Sequence, residues 1–318
     1  MARFVAVTPN PAVDVTYRVD RQLIGETVRV RDVARRAGGK GVNVARVLHA
    51  LGRDVVAVAP LGGDAGEGLG RELTADGIPV RATPIDGDTR FTIAVVDDIA
   101  HPTLLAEPGP AWTTSLWEAL CGAVGDVVGQ DDWVVIAGSF PPGTPPDATA
   151  TLVGAARSRG ARVVVDTSGP HLLAAADAGA DVVKANAEEV RTATGCADVR
   201  DAAVRLAARG ALVVVSLGAD GLLVRDPDGT VSRHPAVAEV AGNPTGAGDA
   251  ATAGLVAALS DGRDIGTAAG WAAVAGAAAV LHPLAGAVDP ADLLTLAHRA
   301  DVDVRGLLSP SHPLWSSS

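Results

Sequence analysis

The chain has 318 residues, 48% of them hydrophobic and 20% charged, with a formal net charge of −11. That length suits one large α/β domain, or one domain with an appendage. The acidic balance, without a basic run, excludes nucleic acid as the main partner, because such binding rests on neutralising phosphates; small anions stay open, since helix N-termini hold them.

The first apolar, β-branched run, 4–7, has no hydrophobic region and cleavage site of a secretory signal before it. Further runs at 55–59, 134–137, 163–165, 182–183 and 212–216 alternate with helical patterns at 42–51, 67–76, 114–128, 146–159, 170–178 and 200–209. Short continuous strands alternating with helices predict a parallel sheet covered on both faces. Two stretches break that rhythm. Segment 13–36 alternates loosely through Val13, Val15, Tyr17 and Val19, then Val28, Val30 and Val33, and 90–97 with 103–106 reads as a hairpin turned at 98–102. Half-exposed strands inserted in an α/β chain predict a small sheet standing on the main one as a lid. After Gly221 a second hairpin, 222–225 and 231–234, turns at Asp226-Pro227-Asp228-Gly229. Three Ala-rich helices follow at 248–259, 265–281 and 290–300. The stretch 268–281 contains Gly270 and Gly276 and ends at His282, too short for a membrane span. A soluble, cytoplasmic protein without a membrane partner is expected, and the Ser- and Pro-containing tail, 309–318, is expected to be loosely ordered. Cys121 and Cys196 make neither a metal spacing nor a disulfide framework.

The informative scarcity is in two residue types. Of 26 basic residues only Lys40 and Lys184 are lysine, and the asparagines are Asn10, Asn43, Asn186 and Asn243. Lys40 and Asn43 sit in Ala37-Gly38-Gly39-Lys40-Gly41-Val42-Asn43, a glycine cluster opening a helix. Such a cluster lets backbone approach a ligand, and the helix N-terminus favours an anion or hydroxyls; the plainer reading is a Gly turn with a surface Lys. A Walker-type phosphate loop is excluded, because Ala34 and Gly41 stand where Gly and Ser or Thr are required. Lys184 and Asn186 lie where a strand passes into a helix, the ligand-facing end of a parallel sheet. There Asn186 either caps the helix with Glu189 at N3 or organises with it a water-coordinated Mg²⁺.

Asn243 belongs to Gly242-Asn243-Pro244-Thr245-Gly246-Ala247-Gly248-Asp249. Free N–H groups there make a nest for an oxyanion beside Asp249; the alternative is an N-cap Asp after a flexible loop. Asn10 lies in Thr8-Pro9-Asn10-Pro11-Ala12-Val13-Asp14, where the bland reading is an Asx-turn followed by a surface acid. Singly, each bland reading stands. Jointly, all six rare residues fall at strand ends, four of them in Gly- or Pro-rich loops, and a ligand site on one rim is the reading that covers them.

These residues resemble the PfkB (ribokinase-like) carbohydrate kinases, within them the 1-phosphofructokinase / tagatose-6-phosphate kinase branch. The resemblance covers about 4–287 and runs in order through TPNPAVD (8–14), AGGKGVNVARVLHALG (37–52), PLGGDAGEGLG (60–70), TR (89–90), EPGP (107–110), AGSFPPG (137–143), VVDTSG (164–169), VKANAEE (183–189), SLGADG (216–221) and NPTGAGDA (243–250). It implies a ribokinase-like three-layer α/β fold, with a mainly parallel central sheet flanked by helices and a small β-sheet lid. One kinase domain would span 1–308, its lid strands inserted at about 13–36 and 88–108, followed by the tail 309–318.

The resemblance also implies transfer of the ATP γ-phosphoryl group to a sugar hydroxyl. Asp249 would be the base, and the N–H groups of Gly246, Ala247 and Gly248 would stabilise charge on the moving group. Asn186 and Glu189 match an N-x-x-E element that tunes Mg²⁺ through water. Ser216, Gly218 and Gly221 match the nucleotide loop, with Lys184 and Asn186 beside the phosphates. Asp14, Gly38, Gly39 and Asn43 match positions that hold sugar hydroxyls. Lys40, Arg90 and Arg29 are candidates for a phosphate already on the sugar, with Ser139 close by. ATP and Mg²⁺ are the implied cofactors, a monovalent cation is a further candidate, and a sugar phosphate is the implied partner. Fructose 1-phosphate, giving the 1,6-bisphosphate, stands ahead of tagatose 6-phosphate. The alternatives are kinase action on an unphosphorylated sugar, nucleoside or specialised metabolite, and a non-catalytic sugar-binding regulator. The chain departs from the pattern at Ala185, where Pro is usual, at Ala106, where Asn is frequent, and at Phe91-Thr92-Ile93, where a polar residue is frequent. An apolar outer lid face of Val15, Tyr17, Val28 and Val30 predicts a homodimer through packed lids.

Overall fold

The computed structural model describes all residues except 1, 98, 100–102, 146, 208, 209, 283, 311, 313 and 315–318. Runs of Val, Ile, Leu and Ala become nine strands of one sheet: β1 (Phe4–Val7), β4 (Val55–Leu61), β5 (Val80–Pro84), β8 (Trp133–Ala137), β9 (Arg162–Asp166), β10 (Val182–Asn186), β11 (Leu212–Ser216), β12 (Leu222–Arg225) and β13 (Val231–His234). Their order is β13-β12-β11-β10-β9-β8-β1-β4-β5. Pairing is parallel from β5 through β11 and antiparallel for the β12–β13 hairpin on the edge.

Alternation splits the core in two. Phe4 and Ala6 pack into one apolar cluster, while Val5 and Val7 pack into the other. The first cluster is covered by α1 (Lys40–Ala50), α2 (Gly63–Ala75), α8 (Ala247–Ser260), α9 (Ile265–Leu281) and α10 (Pro290–Arg299). The second is covered by α3 (Thr114–Val127), α4 (Ala148–Arg157), α5 (Pro170–Asp177), α6 (Ala187–Thr194) and α7 (Val199–Leu206). A ribokinase-like three-layer fold results. The apolar helix α9 packs against α8 and α10, and among the described residues no helix is long and apolar enough to cross a membrane.

The chain begins its sheet at β1 in the interior, steps outward to β4 and β5, and returns on the other side at β8. The crevice beyond the carboxyl ends of β1 and β8 is therefore the topological switch point, where open α/β sheets bind ligands. Over it stands a second sheet of β2 (Ala12–Val19), β3 (Val30–Gly38), β6 (Arg90–Val96) and β7 (Thr103–Ala106), in the order β3-β2-β6-β7. This is the expected lid, although the turn expected at 98–102 lies mostly outside the described residues.

Several details differ from the sequence reading. Strand β5 was not anticipated: it is a polar edge strand with only Thr83 buried, so it carries no apolar run. Helix α1 starts at Lys40, two residues early, capped by Gly39 at φ 104°. The expected start of the fourth helix, 146, lies outside the described residues. Val15 does not belong to an outer lid face; it lies on the central strand β2, flanked by β3 and β6, and is 3% exposed. The tail is anchored at its beginning: Ser309 N–H donates to Leu51 O (2.8 Å), and His312 Nε2 lies 3.1 Å from Ala50 O.

Candidate active site

The site is organised around an acid that sequence reasoning did not single out. The apolar run of β9 ends in Asp166, which the sheet buries completely. Its Oδ2 accepts from Lys184 Nζ on β10 (2.7 Å) and from Thr252 Oγ1 on α8 (2.8 Å), and its Oδ1 accepts from Lys40 Nζ on α1 (3.1 Å). Burial pushes this carboxyl up, but the ammonium groups of Lys184 and Lys40 outweigh it and hold the group well below the usual carboxylate range. Lys40 also donates to Glu189 Oε1 (3.1 Å), and Asp166 foremost holds its ammonium well above the ordinary lysine value. Lys184 donates in addition to Gly248 O at the mouth of α8 (2.8 Å).

Asp249, in the first turn of α8, is buried and accepts from Asn43 Nδ2 of α1 (2.8 Å). Burial first, and the charge of Asp166 second, raise its carboxyl to about 7. The helix is capped by Gly246 at φ 83°, where a side chain would meet the backbone of Gly286. The N–H of Ala247 donates to Pro244 O (3.2 Å), whereas those of Gly246 and Gly248 have no acceptor among the described residues. Two of the three N–H groups expected at this mouth are thus free for an anion.

Glycine also lets the lid root, α1 and β2 converge. A Cβ at Gly38 would collide with the Asp14 carboxylate, and one at Gly41 with Thr8. Half-buried Asp14 is pushed up to about 6 by desolvation, against the pull of Arg90, Arg46 and Arg36. Nearby, Asn10 Nδ2 donates to Ser139 Oγ (3.3 Å) and Pro108 O (3.2 Å). Arg90 donates through Nε and Nη2 to Asn10 O (3.3 and 3.2 Å) and through Nη1 to Glu107 O (2.8 Å). Arg29 does not join this cluster: it is exposed between β2 and β3 and makes no hydrogen bond or ion pair among the described residues. Lys40 is drawn toward the Asp166–Glu189 side, where two carboxylates already hold it.

Beyond Lys184 an open cleft of about 460 Å³ is lined by Asn186, Glu188, Arg191, Ser216, Gly218 and Arg233, among others. The sequence reading located Asn186, Ser216 and Gly218 there but missed both arginines. Gly221 does not line the cleft; at φ 85° it makes the close turn from β11 into β12 against His234 O. Asn186 caps α6, with Oδ1 accepting Glu189 N–H (2.9 Å) and Glu189 Oε2 accepting Asn186 N–H (2.8 Å). Both readings of this pair are compatible, because the capping box presents oxygen donors at the cleft edge. Among the described residues no three His, Cys, Asp or Glu side chains form a direct metal cage. An oxygen-only pair already engaged in the cap suits a hydrated divalent ion held through water.

Known proteins share this sequence pattern and this fold. The model of the pfkB family carbohydrate kinases matches residues 7–292. A 1-phosphofructokinase of Rhodobacter capsulatus is 38% identical over 272 residues, 83% of this chain and 85% of that protein. A second, from Xanthomonas campestris pv. campestris, is 38% identical over 272 residues, 81% and 84% of the two chains. Among solved structures, phosphofructokinase-2 from Escherichia coli in complex with potassium superposes with a TM-score of 0.87 at 27% identity, covering 94% of this chain and 99% of that one.

Proposed function

The chain belongs to the pfkB family of carbohydrate kinases, and from that premise we propose that it transfers the γ-phosphoryl group of ATP to a hydroxyl of a hexose monophosphate, fructose 1-phosphate ahead of tagatose 6-phosphate. The observation that carries this reading is Asp249: a buried carboxylate at a helix mouth, fixed by Asn43 and poised at about 7, suits a base working near neutral pH. The sugar, lying over Gly38, Gly39 and Asp14, presents its hydroxyl to Asp249. As the oxygen attacks the γ-phosphorus, its proton passes to the Asp249 carboxylate, an O–P bond forms, and the bond to the β-phosphate oxygen breaks to release ADP. The free N–H groups of Gly246 and Gly248, with Lys184 beside them, stabilise charge on the moving group; positioning and electrostatics supply most of the acceleration in such transfers. Asn186 and Glu189 would hold Mg²⁺ through water, where the ion would neutralise phosphate charge. A monovalent cation enters the reading through the potassium complex of the E. coli neighbour. Closure of the lid excludes water that would otherwise consume ATP.

The names of the 38%-identical relatives support the phosphorylated substrate. A second reading, a neutral sugar, is favoured by one observation: Arg90 and Lys40 already spend donors on main-chain carbonyls and carboxylates. Turnover of a panel of sugars and sugar phosphates with ATP·Mg²⁺ decides between them, and Arg90→Ala sharpens the answer, since unchanged kcat/KM means that no substrate phosphate is held there. Asp249→Asn is expected to lower kcat by at least about 10³-fold with binding largely kept; retained turnover refutes the base.

We also infer a homodimer through the lids. Ile24 is 98% exposed, and Val30, Val33, Leu104 and Leu105 are exposed on the same small sheet or its connecting loop. Apolar surface of this kind marks a contact. A monomer by light scattering at micromolar concentration would overturn this.

A further inference from the structure

Behind the lid root lies a charged pair that the proposed chemistry does not use. Glu72 on α2 is half-buried and bridges two elements: Oε2 accepts Ala37 N–H from the end of β3 (2.9 Å), and Oε1 accepts Arg46 Nη2 from α1 (2.6 Å). Arg46 is 5% exposed, and its Nη2 also reaches Asp76 (3.1 Å), while its Nε and Nη1 are buried without a partner. A buried guanidinium with two unsatisfied groups costs stability. Ala37 immediately precedes Gly38, whose Cα hydrogen faces the Asp14 carboxylate so closely that no side chain fits between them. The pair therefore fixes the short backbone segment against which Asp14 rests.

We propose that Glu72 and Arg46 are positioning residues for the sugar: by tying the root of β3 to α1 and α2 they set the place of Asp14. The proposal rests on the reading above, in which Asp14 holds sugar hydroxyls. Four charged groups act on Asp14: Arg90 from β6, Arg46 from α1 and Arg36 from β3 favour its carboxylate, and Glu72 from α2 opposes it. Arg36 is itself held by Ala285 O (2.9 Å), so it contributes charge from a fixed place. The two members of the pair thus act on Asp14 with opposite sign while sharing one geometric role.

The test uses the purified full chain and five proteins: wild type, Asp14→Asn, Glu72→Asp, Glu72→Gln and Arg46→Gln. Glu72→Asp keeps the charge but loses the reach, so the KM for the sugar phosphate should rise about tenfold, with kcat and the KM for ATP within about twofold. Glu72→Gln should raise that KM similarly and move the pH profile of sugar-phosphate affinity to lower pH than wild type, because an anion beside Asp14 is lost. Arg46→Gln should move it to higher pH, because a cation is lost. Comparison with wild type at the same ligand cancels titration of the ligand's own phosphate. A pair that only stabilises the fold would lower the melting temperature and leave both profiles in place, which overturns the proposal. Should Arg46→Gln not fold, the two variants at half-exposed Glu72 decide the matter. If Asp14→Asn leaves the sugar-phosphate KM unchanged, the sugar-site reading falls and takes the proposal with it. If Asp14→Asn raises that KM and the Glu72 variants do not, the proposal alone falls.

Discussion

Asp166 and Asp14 both stand among cations at the switch point of one sheet, yet the protein drives them in opposite directions. Asp166 has two ammonium groups and a hydroxyl within hydrogen-bond distance, and its carboxyl lies well below the ordinary range despite complete burial. Asp14 has three arginines around it and no hydrogen bond from any of them, and its carboxyl rises to about 6. Contact, more than the number of cations, decides which effect wins, because a direct charge-assisted hydrogen bond replaces lost water and a cation further off does not. The difference separates two kinds of acid: one saturated by its own protein and built to hold other groups in place, the other with acceptor capacity to spare for a ligand's hydroxyls.

The hardest way to break the contrast is to remove the saturated member. Asp166→Asn leaves Lys184 buried without its counter-charge and should cost about 3–5 kcal/mol of stability, read by denaturant unfolding. Wild-type stability there would mean that the lysines find other partners. The two acids should also differ in their response to pH. The stabilisation from Asp166 is full above the unfolded carboxylate value and is lost as pH falls below it; the contribution of Asp14 runs the other way, declining as pH rises from about 4 to 6. Asp14→Asn should melt higher than wild type above pH 6, where the wild-type acid is ionised against its desolvation, yet raise the KM for the sugar by about 10- to 100-fold, measured by initial rates. Asp249 sharpens the comparison as a third case, raised to about 7. Activity should fall as pH drops through that value, and Asp249→Asn should melt higher than wild type at pH 8, because burying the ionised acid opposes folding. The smallest effect is expected from Thr252→Val, which deletes one donor to Asp166 and should cost about 1 kcal/mol.

Much of this was legible in the sequence, for reasons that also explain the gaps. Fully buried parallel strands print as continuous apolar runs, and β1, β8, β9, β10 and β11 announce themselves that way. Strand β5 does not, because as a solvent-facing edge it alternates charge and small residues. Asn43 and Lys184 stand out in the sequence as rare residue types near strand ends, and Asp249 as the acid beside a glycine loop. Asp166 was passed over because an acid between a strand and Thr-Ser-Gly reads as a turn; its partners lie 18, 86 and 126 positions away. Arg46 was invisible for a similar reason, since nothing local marks a helical arginine as buried. Its pairing with Glu72, 26 positions on, exists only once α1 and α2 pack side by side.

The placement of the only two lysines has a practical side. In a chain whose other basic side chains are arginine, reagents that seek primary amines meet no scattered ε-amino groups on the surface. Lys184 has a side chain 5% exposed, and Lys40, 36% exposed, is kept protonated by Asp166 and Glu189 and so lacks the free lone pair that acylation needs. Such labelling should therefore spare the native ε-amines, and its appearance at Lys40 would report that the carboxylates behind it have let go.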